Sequence, residues 1–438
     1  MIFGKYTAIA GAVAVGVLWP FATGQIGQSF YDNEIKQIQS PYLTVENTSY
    51  ERGYLSSEVI TRVAVIGSMK EVYEDEGLPT SYSVLSHVSH GFLGVSTTST
   101  LEMTPEIKVI TDLLWPSGES PLTIVTETSL LGATQYDVTV RAMNGENDEI
   151  KVTSSPANVS GTADKDGVMV FQLEMPFIEL SSPEGEKFAL KDITGSGDGQ
   201  LVDDVWVGSQ RVNVATSTFS DMSGSTVTID KLAVDVKNAL SAINNGDVKT
   251  AAPDDLRFDN TNVISFEKFD MPDTLVVDNF KMGVNFNALD YNSMIALATT
   301  ADSMSAEPTE EEMMKLVTAL DGLVEKGLTF EIIPLELDTP EGHIDAKFDL
   351  SVEPGLGSVT QNVGALMTKL KGNLFINVPT AYVEGVPEVE ASLSNLEPYG
   401  FISQAENGVT LTAKIEGDQA VSPSGEKIPL GLLMMMLM

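Results

Sequence analysis

The stretch Ile344-Asp345-Ala346-Lys347-Phe348-Asp349-Leu350-Ser351-Val352 decides the fold class. Every second residue from Ile344 to Val352 is apolar, and Asp345, Lys347, Asp349 and Ser351 stand between them. A period of two sends the apolar set to one face of a strand and the polar set to the other, so one face is covered and one is wet. Val59 to Ile66 repeats the pattern, with Val59, Thr61, Val63 and Val65 on one side and Arg62 on the other. Tyr136 to Arg141, Val168 to Met175 and Arg211 to Thr218 read as further strands. In Leu328 to Leu337 the alternation slips at Ile332-Ile333, immediately before Pro334. A doubled apolar residue beside a proline predicts a bulge that bends the strand. The chain is therefore expected to be mainly β with some α, a long, curved, largely antiparallel sheet carrying a few packed helices.

A short repeat supports hairpins. Ser182-Pro183-Glu184-Gly185-Glu186-Lys187 recurs as Ser422-Pro423-Ser424-Gly425-Glu426-Lys427, with a looser copy at Thr339-Pro340-Glu341-Gly342. Proline supplies a fixed φ and glycine a left-handed position, the chemistry of a tight turn. The spacings are unequal, which excludes a regular solenoid and leaves a reused hairpin design.

Helices are expected between the strands. Thr309 to Glu325 opens on a capping box, Thr309 with Glu312, has acidic residues in its first turn, and stops at Lys326-Gly327. Met313, Leu316, Val317, Leu320 and Val324 form its predicted apolar stripe. Ser358 to Leu370, Glu388 to Tyr399 and Lys231 to Ile243 read as further helices. Asn244-Asn245-Gly246 and Ala251-Ala252-Pro253 frame a polar stretch between two halves, and Ala301 to Pro308 reads as a loop. The expected organisation is 1–22, 23–245 as a β-rich region, and 246–438 as an α+β region or a continuation of the same unit.

The first 22 residues set the compartment. Lys5 precedes an apolar run from Tyr6 to Leu18, closed by Trp19-Pro20 and followed by Ala22-Thr23-Gly24. A cleaved signal has an apolar stretch of roughly 7 to 15 residues and a small-residue site. A retained anchor needs roughly 17 to 25 apolar residues. The run fits both outlines. Trp19, which suits the headgroup level, and the helical spacing of Ile26, Phe30, Ile35 and Ile38 favour a single N-terminal membrane helix through residues 6–22. Cleavage, leaving a soluble periplasmic body, is the alternative. Lys5 on the short side keeps that end cytoplasmic and the body outside.

The chain carries 25 Lys and Arg against 62 Asp and Glu, a net charge of −37, and a surface that acidic excludes nucleic acid as an expected partner. It contains no cysteine, so disulfides, thiolate metal sites and a cysteine nucleophile are excluded. A chain of 438 residues buries a large core without such staples.

Candidates for chemistry are few. His87 and His90 have a spacing that suits two metal ligands on a helix, but Ser83 to Gly91 reads as strand or loop, where the pair diverges. His343 follows a hairpin turn and reads as a surface residue. No Gly-x-Ser-x-Gly elbow accompanies these histidines. Asp164-Lys165-Asp166-Gly167 and Asp198-Gly199 with Asp203-Asp204 resemble incomplete calcium loops and are read as Asp-Gly turns. Gly195-x-Gly197-x-Gly199 lies in an acidic turn, outside any strand-to-helix context that a dinucleotide site needs. The tail from Leu432 to Met438 is an adaptable apolar segment, read as a final helical turn packed on the sheet. No catalytic, cofactor-binding or metal-ligating residue is singled out, and no cofactor is expected.

Tyr50-Glu51-Arg52-Gly53-Tyr54-Leu55-Ser56-Ser57 resembles the signature of the YdgA-like family of Gram-negative envelope proteins, an aromatic followed by Arg-Gly-aromatic-hydrophobic-Ser-Ser. Similar too are the start ending at Trp19-Pro20, the helix through Tyr31 to Gln39, the Thr339 to Gly342 hairpin, and the closing segment from Tyr399-Gly400-Phe401 through Asn407-Gly408-Val409 to Lys427-Ile428-Pro429-Leu430. Pro423-Ser424-Gly425 departs from the Asn-Gly turn expected near the end. The resemblance implies an inner-membrane anchor, a periplasmic body and a homodimer, with no known function and no catalytic residues to transfer. From the residues themselves, Gly53 permits a turn and Tyr54-Leu55 leads into the strand that continues to Ile66. The expected role is non-enzymatic, the binding of lipid or another apolar ligand in the curved sheet. The alternatives are a structural scaffold or assembly partner for other envelope proteins and, third, an envelope hydrolase.

Overall fold

The computed structural model of the chain describes residues 43–437 except 76, 204, 244, 245, 247, 249, 305–307, 357–362, 406 and 407. The run from Tyr6 to Leu18 and its continuation to Gln39 lie outside the described residues. Among those described, no helix is long and apolar enough to cross a membrane. The chain divides into two compact units, Met1–Thr226 with Ala301–Pro308, and Val227–Thr300 with Thr309–Met438. The boundary expected at 245/246 falls within the second.

The first unit begins as a meander. β1 (Leu43–Arg52) pairs with β2 (Ser56–Val65), and α1 (Gly67–Asp75) leads on to β3 (Ser81–His90) and β4 (Gly94–Leu101). α2 (Pro105–Leu114) connects to β5 (Leu122–Ser129) and β6 (Thr134–Val140), every pairing being antiparallel. β7 (Asn144–Glu146) and β8 (Lys151–Ser154) form a small hairpin. β9 (Ala157–Ala163) returns beside β6 and pairs with β10 (Met169–Ser181), followed by β11 (Lys187–Val202) and β12 (Val205–Ser220). β8 lines the far half of β10.

The period of two in β2 has its predicted consequence. Val59, Thr61, Val63 and Val65 are buried and Arg62 is exposed. Val63 joins Val84, Ile124, Tyr136 and Val138 in the core, where full burial of a side chain such as Ile124 is worth about 1.5–3 kcal/mol. Burial also pushes the Tyr136 phenol up to about 12. Helices close one end of this meander. Tyr73 of α1 packs under Val65, while Leu114 and Trp115 at the end of α2 pack on Val140, Ile150 and Val152. The Trp115 indole donates to the Arg141 carbonyl at 2.9 Å. The other end consists of the β1–β2, β3–β4 and β5–β6 turns. One sequence expectation changes there. Tyr54-Leu55 does not enter β2 but forms the turn, because Gly53 N–H donates to the Ser56 carbonyl at 2.8 Å and closes the loop over them.

In the second unit β13 (Thr226–Ala242), β14 (Leu256–Met271) and β15 (Leu275–Asp290) precede two helices, α3 (Tyr291–Ser303) and α4 (Glu310–Lys326). β16 (Leu328–Thr339) and β17 (Gly342–Val352) form the next hairpin. α5 (Val363–Thr368) leads to β18 (Leu370–Pro379), and α6 (Thr380–Gly385) and α7 (Pro387–Leu396) follow. β19 (Ile402–Ala405), β20 (Gly408–Glu416), β21 (Gln419–Val421), β22 (Lys427–Pro429) and α8 (Leu430–Leu437) complete it. Strands β13 to β18 pair in order, β20 pairs with β18, and β19 and β21 share the other edge of β20.

The expected helix over Lys231 to Ile243 is a strand, β13. Its Val234, Val236 and Leu240 stand opposite Ile264, Asn262 and Phe258 of β14. Interspersed alanines give the segment a helical look, and pairing overrides that local preference. The expected helix from Ser358 is described only from Val363 and ends at Thr368, since Leu370 already belongs to β18. Glu388 to Tyr399 is helical as expected, ending in a 3-10 turn at Glu397–Tyr399. The apolar tail forms α8, which buries Leu433 and leaves Met434 and Met435 exposed.

The bulge read at Ile332-Ile333 is present. Register shifts between Ile332 and Leu335 against β17, and on β15 the same stretch spans only Met282 to Val284. The Ile333 carbonyl pushes toward β15, where a Cβ on Gly283 would lie only 2.2 Å from it. Glycine there lets the bulge form.

The repeated turn is one structure used four times. At Ser182 and Ser422 the hydroxyl accepts from the amide four residues on, Glu186 N–H at 3.1 Å and Glu426 N–H at 3.2 Å. Asp164 and Asp221 do the same with Val168 and Ser225, both at 2.9 Å. The glycines at positions 185, 425, 167 and 224 all have φ between +81° and +103°. Thr339 to Gly342 differs. Thr339 pairs directly with Gly342 across Pro340-Glu341, a two-residue hairpin.

α4 begins as predicted. Thr309 Oγ1 accepts from Glu312 N–H at 3.3 Å and Glu312 Oε2 accepts from Thr309 N–H at 2.7 Å. Thr309→Ala is expected to cost about 1 kcal/mol and Thr309→Ser almost nothing, read from urea denaturation of the two variants. Equal losses would show that the cap is not the cause. The buried stripe, however, is rotated from the predicted one. Ala319 and Leu323 are buried, whereas Met313 and Leu320 are exposed. α4 packs on β15, and its Gly322 backbone lies so close to Ser293 Oγ that a Cβ would sit 2.4 Å from it. Small residues let the helix approach on that side, and this close contact sets its rotation.

Candidate ligand-binding face

Register places the apolar residues of the second unit's sheet in continuous rungs. Val284, Ile332, Phe348, Leu374 and Ala413 stand side by side across β15, β16, β17, β18 and β20. Phenylalanines flank this rung in two separate groups on the same face, Phe266 with Phe280 to one side, and Phe286 with Phe330 to the other, where they meet Phe348 of the rung itself. Phe266 and Phe280 face each other, stacked with centroids 4.6 Å apart and planes 11° from parallel. Phe286 faces Phe330 at 5.1 Å, and Phe330 meets Phe348 edge-on at 6.1 Å. Such pairs add roughly 0.5–1.5 kcal/mol beyond area burial, so they order the face as well as make it apolar.

Coverage of this face is uneven. Around β18 and β20, α6, α7 and α8 bring Val383, Leu396 and Leu433 onto Val378, Leu411 and Ala413, and all are buried. Toward β14–β17 the five phenylalanines are only half-buried, and Ile264 is exposed. α4 packs on β15 and buries Ala319 and Leu323 of its own residues.

The opposite face of the same strands is a ladder of amides and carboxylates. Asn373 donates to Asp349 and Asn377 to Asp345, both at 3.0 Å, and Asn287 donates to Glu331 at 3.0 Å. These cross-strand bonds let side chains shield one another. For that reason Asp345 and Asp349 of β17, expected to be wet, are half-buried. At the hairpin end, Asp338 is held below the usual carboxylate range by the Asn279 amide and then by His343.

The histidines stay apart. His87 and His90 lie on opposite faces of β3, as the strand reading required. His87 Nδ1 is 2.5 Å from Glu58 on the exposed side, and His90 Nε2 is 3.0 Å from the Ser57 hydroxyl. Ser57 is buried. His343 lies on the surface with Nδ1 2.7 Å from Asp338. The Asp164 Oδ1 accepts from the amides of Asp166 and Val168, which makes this an Asp-Gly turn as read from the sequence. Asp198 and Asp203 lie in and at the end of β11, and Gly195, Gly197 and Gly199 lie within that strand rather than in a turn. Among the described residues no cluster of three or more His, Asp or Glu could hold a metal ion. The phenylalanine clusters are not legible in the sequence. Phe330 and Phe348 lie in stretches read as strands, whereas Phe266, Phe280 and Phe286 lie where no strand is read, and the alignment of all five depends on register between distant strands.

Fold and face together define a mainly β protein of long antiparallel hairpins with an incompletely covered apolar sheet face. The family model for bacterial proteins of unknown function, DUF945, matches residues 5–423, so the chain belongs to that family. Neither a curated protein nor a solved structure gives a match.

Proposed function

We propose that this chain is a non-enzymatic, membrane-tethered envelope protein that binds the acyl chain of a lipid, or a similar apolar ligand, on the half-covered face of β14–β17. The observation that carries the reading is the pair of phenylalanine clusters, each ordered by ring contacts yet left half-buried beside a fully covered core. An apolar surface of this kind takes ligands by burying their apolar area, with few polar groups needed. The sequence of residues 6–22 supports a single span of the inner membrane, with the body in the periplasm. The Arg52-Gly53 string supports the narrower YdgA-like membership.

Full-length protein extracted in mild detergent is expected to carry acyl lipid by mass spectrometry. The double variant Phe330→Ser/Phe348→Ser should bind a fluorescent fatty acid about tenfold or more weakly, since each ring contributes about 1 kcal/mol or more of apolar contact. No lipid and unchanged probe affinity would sink the reading. Recovery of envelope proteins alone by crosslinking would favour the scaffold role instead.

A further inference from the structure

The bare end of the first unit carries its largest exposed apolar side chains. The β1–β2 turn is Gly53-Tyr54-Leu55 and the β3–β4 turn is Gly91-Phe92-Leu93, the same Gly-aromatic-Leu string at equivalent places. Both close alike, Gly53 N–H on Ser56 O at 2.8 Å and Gly91 N–H on Gly94 O at 2.9 Å. The third turn, β5–β6, has Leu130-Leu131-Gly132 at its apex. Tyr54 is 93% exposed, Phe92 95% and Leu131 85%. Backbone bonds tie the turns together, His90 N–H to Leu55 O at 2.8 Å and Leu130 N–H to Leu93 O at 3.1 Å. With strands about 4.8 Å apart, the three apices form a row roughly 20 Å long. None of these apex residues is charged, in a chain of net charge −37. The row ends at the charged turn Asp164-Lys165-Asp166-Gly167, against which Gly132 packs.

We propose that this row of hairpin apices is a membrane-contacting edge that dips into the headgroup region of a lipid bilayer. Exposed apolar patches with polar rims mark interaction sites, and aromatic side chains favour the bilayer interface. Separate turns projecting in a line need no complementary cavity, which suits a fluid lipid surface better than a rigid protein. The choice of a bilayer rests on the proposed tether through residues 6–22. Residues 23–42 join that segment to β1, which enters at the helix-covered end. With the helical spacing read through Gln39 kept as helix, at about 1.5 Å per residue, and the other five residues extended, these twenty residues reach about 39 Å, and β1 spans about 33 Å, so the chain is long enough to let the far edge meet the same membrane.

The absence of cysteine makes the test direct. Full-length Phe92→Cys, Leu131→Cys, Ser117→Cys and Ala14→Cys variants carry an environment-sensitive fluorophore and are reconstituted in phosphatidylcholine vesicles with or without shallow spin-labelled lipid. Labels at 92 and 131 should lose about half their emission, since interfacial side chains sit roughly 5–10 Å deep, and the label at 117, on the helix-covered end, should lose none. Quenching at 14 with none at 92 and 131 overturns the edge and leaves the tether. Quenching at 92 and 131 without 14 supports the edge and removes the tether. Labels at 92 and 131 that are shielded from aqueous iodide yet untouched by spin-labelled lipid would mean a protein partner or a second copy, and would also overturn the proposal. Unchanged thermal midpoints confirm that the variants fold.

Discussion

Asp290→Ala is expected to destabilise the second unit by about 3–5 kcal/mol, among the largest effects of any single substitution in it. Asp290 ends β15 and its carboxylate lies 3.4 Å from Arg257 of β14, with the two side chains only 6% and 13% exposed. The same carboxylate caps α3, accepting from Ser293 N–H at 3.0 Å and Ser293 Oγ at 2.8 Å. Removing it takes away the cap and leaves a guanidinium in a poorly solvated place. Arg257 keeps some support, because it also donates to the carbonyls of Leu256 at 2.7 Å and Asp254 at 3.0 Å. Arg257→Met strands the carboxylate instead, though Ser293 still donates to it. The double variant Arg257→Met/Asp290→Ala should therefore lose clearly less than the sum of the singles. With two units in one chain, a single global transition is not assured, so hydrogen exchange across β14, β15 and α3 is the measurement of choice. Additive losses would show that the two groups do not act as a pair.

This network shows why parts of the molecule are legible in sequence and others are not. Features made by neighbours along the chain are readable. The alternation of β2, the slip before Pro334 and the Thr309–Glu312 cap each need only a few adjacent residues, and each is present. The reused turn is readable for the same reason, although its aspartate copy at Asp164 is concealed by a resemblance to a calcium loop and the copy at Asp221 carries no Pro-x-Gly to mark it. Features that depend on distant partners are not readable in this way. Lys231 to Ile243 looks helical by itself and becomes a strand because β14 offers it a ladder. The stripe of α4 turns toward Ala319 because Ser293 lies against Gly322. The phenylalanine clusters exist only once β14, β15, β16 and β17 are in register. Tyr54-Leu55 reads as the start of a strand because apolar residues are expected to go inside. The repeated Gly-aromatic-Leu string at 53–55 and 91–93 is the signal that both are turn apices.

Phe401→Ala tests how the covered part of the apolar face is sealed. Phe401 follows Gly400, a left-handed residue with φ of +72°, and its own carbonyl accepts from Thr412 N–H at 3.0 Å. Its ring is almost wholly buried in the cluster that Leu396 of α7, Leu411 of β20 and Leu433 of α8 complete. Truncating a phenylalanine in such a place costs about 3–5 kcal/mol, from lost transfer energy plus the cavity left behind. Because the surrounding backbone is pinned on both sides, little collapse into that cavity is expected, which places the loss toward the upper part of the range. Met435→Ala, on the exposed side of α8, is the matched control and should change stability by less than about 0.5 kcal/mol. A second readout separates local from global failure. If α6, α7 and α8 loosen while the sheet persists, the sealed end of the rung at Leu374 and Ala413 becomes continuous with the half-covered phenylalanines. An apolar dye should then bind more strongly below the unfolding transition. Loss of stability without added dye binding would mean that the helices and the sheet unfold as one body, and that the seal is not a separable lid over the face.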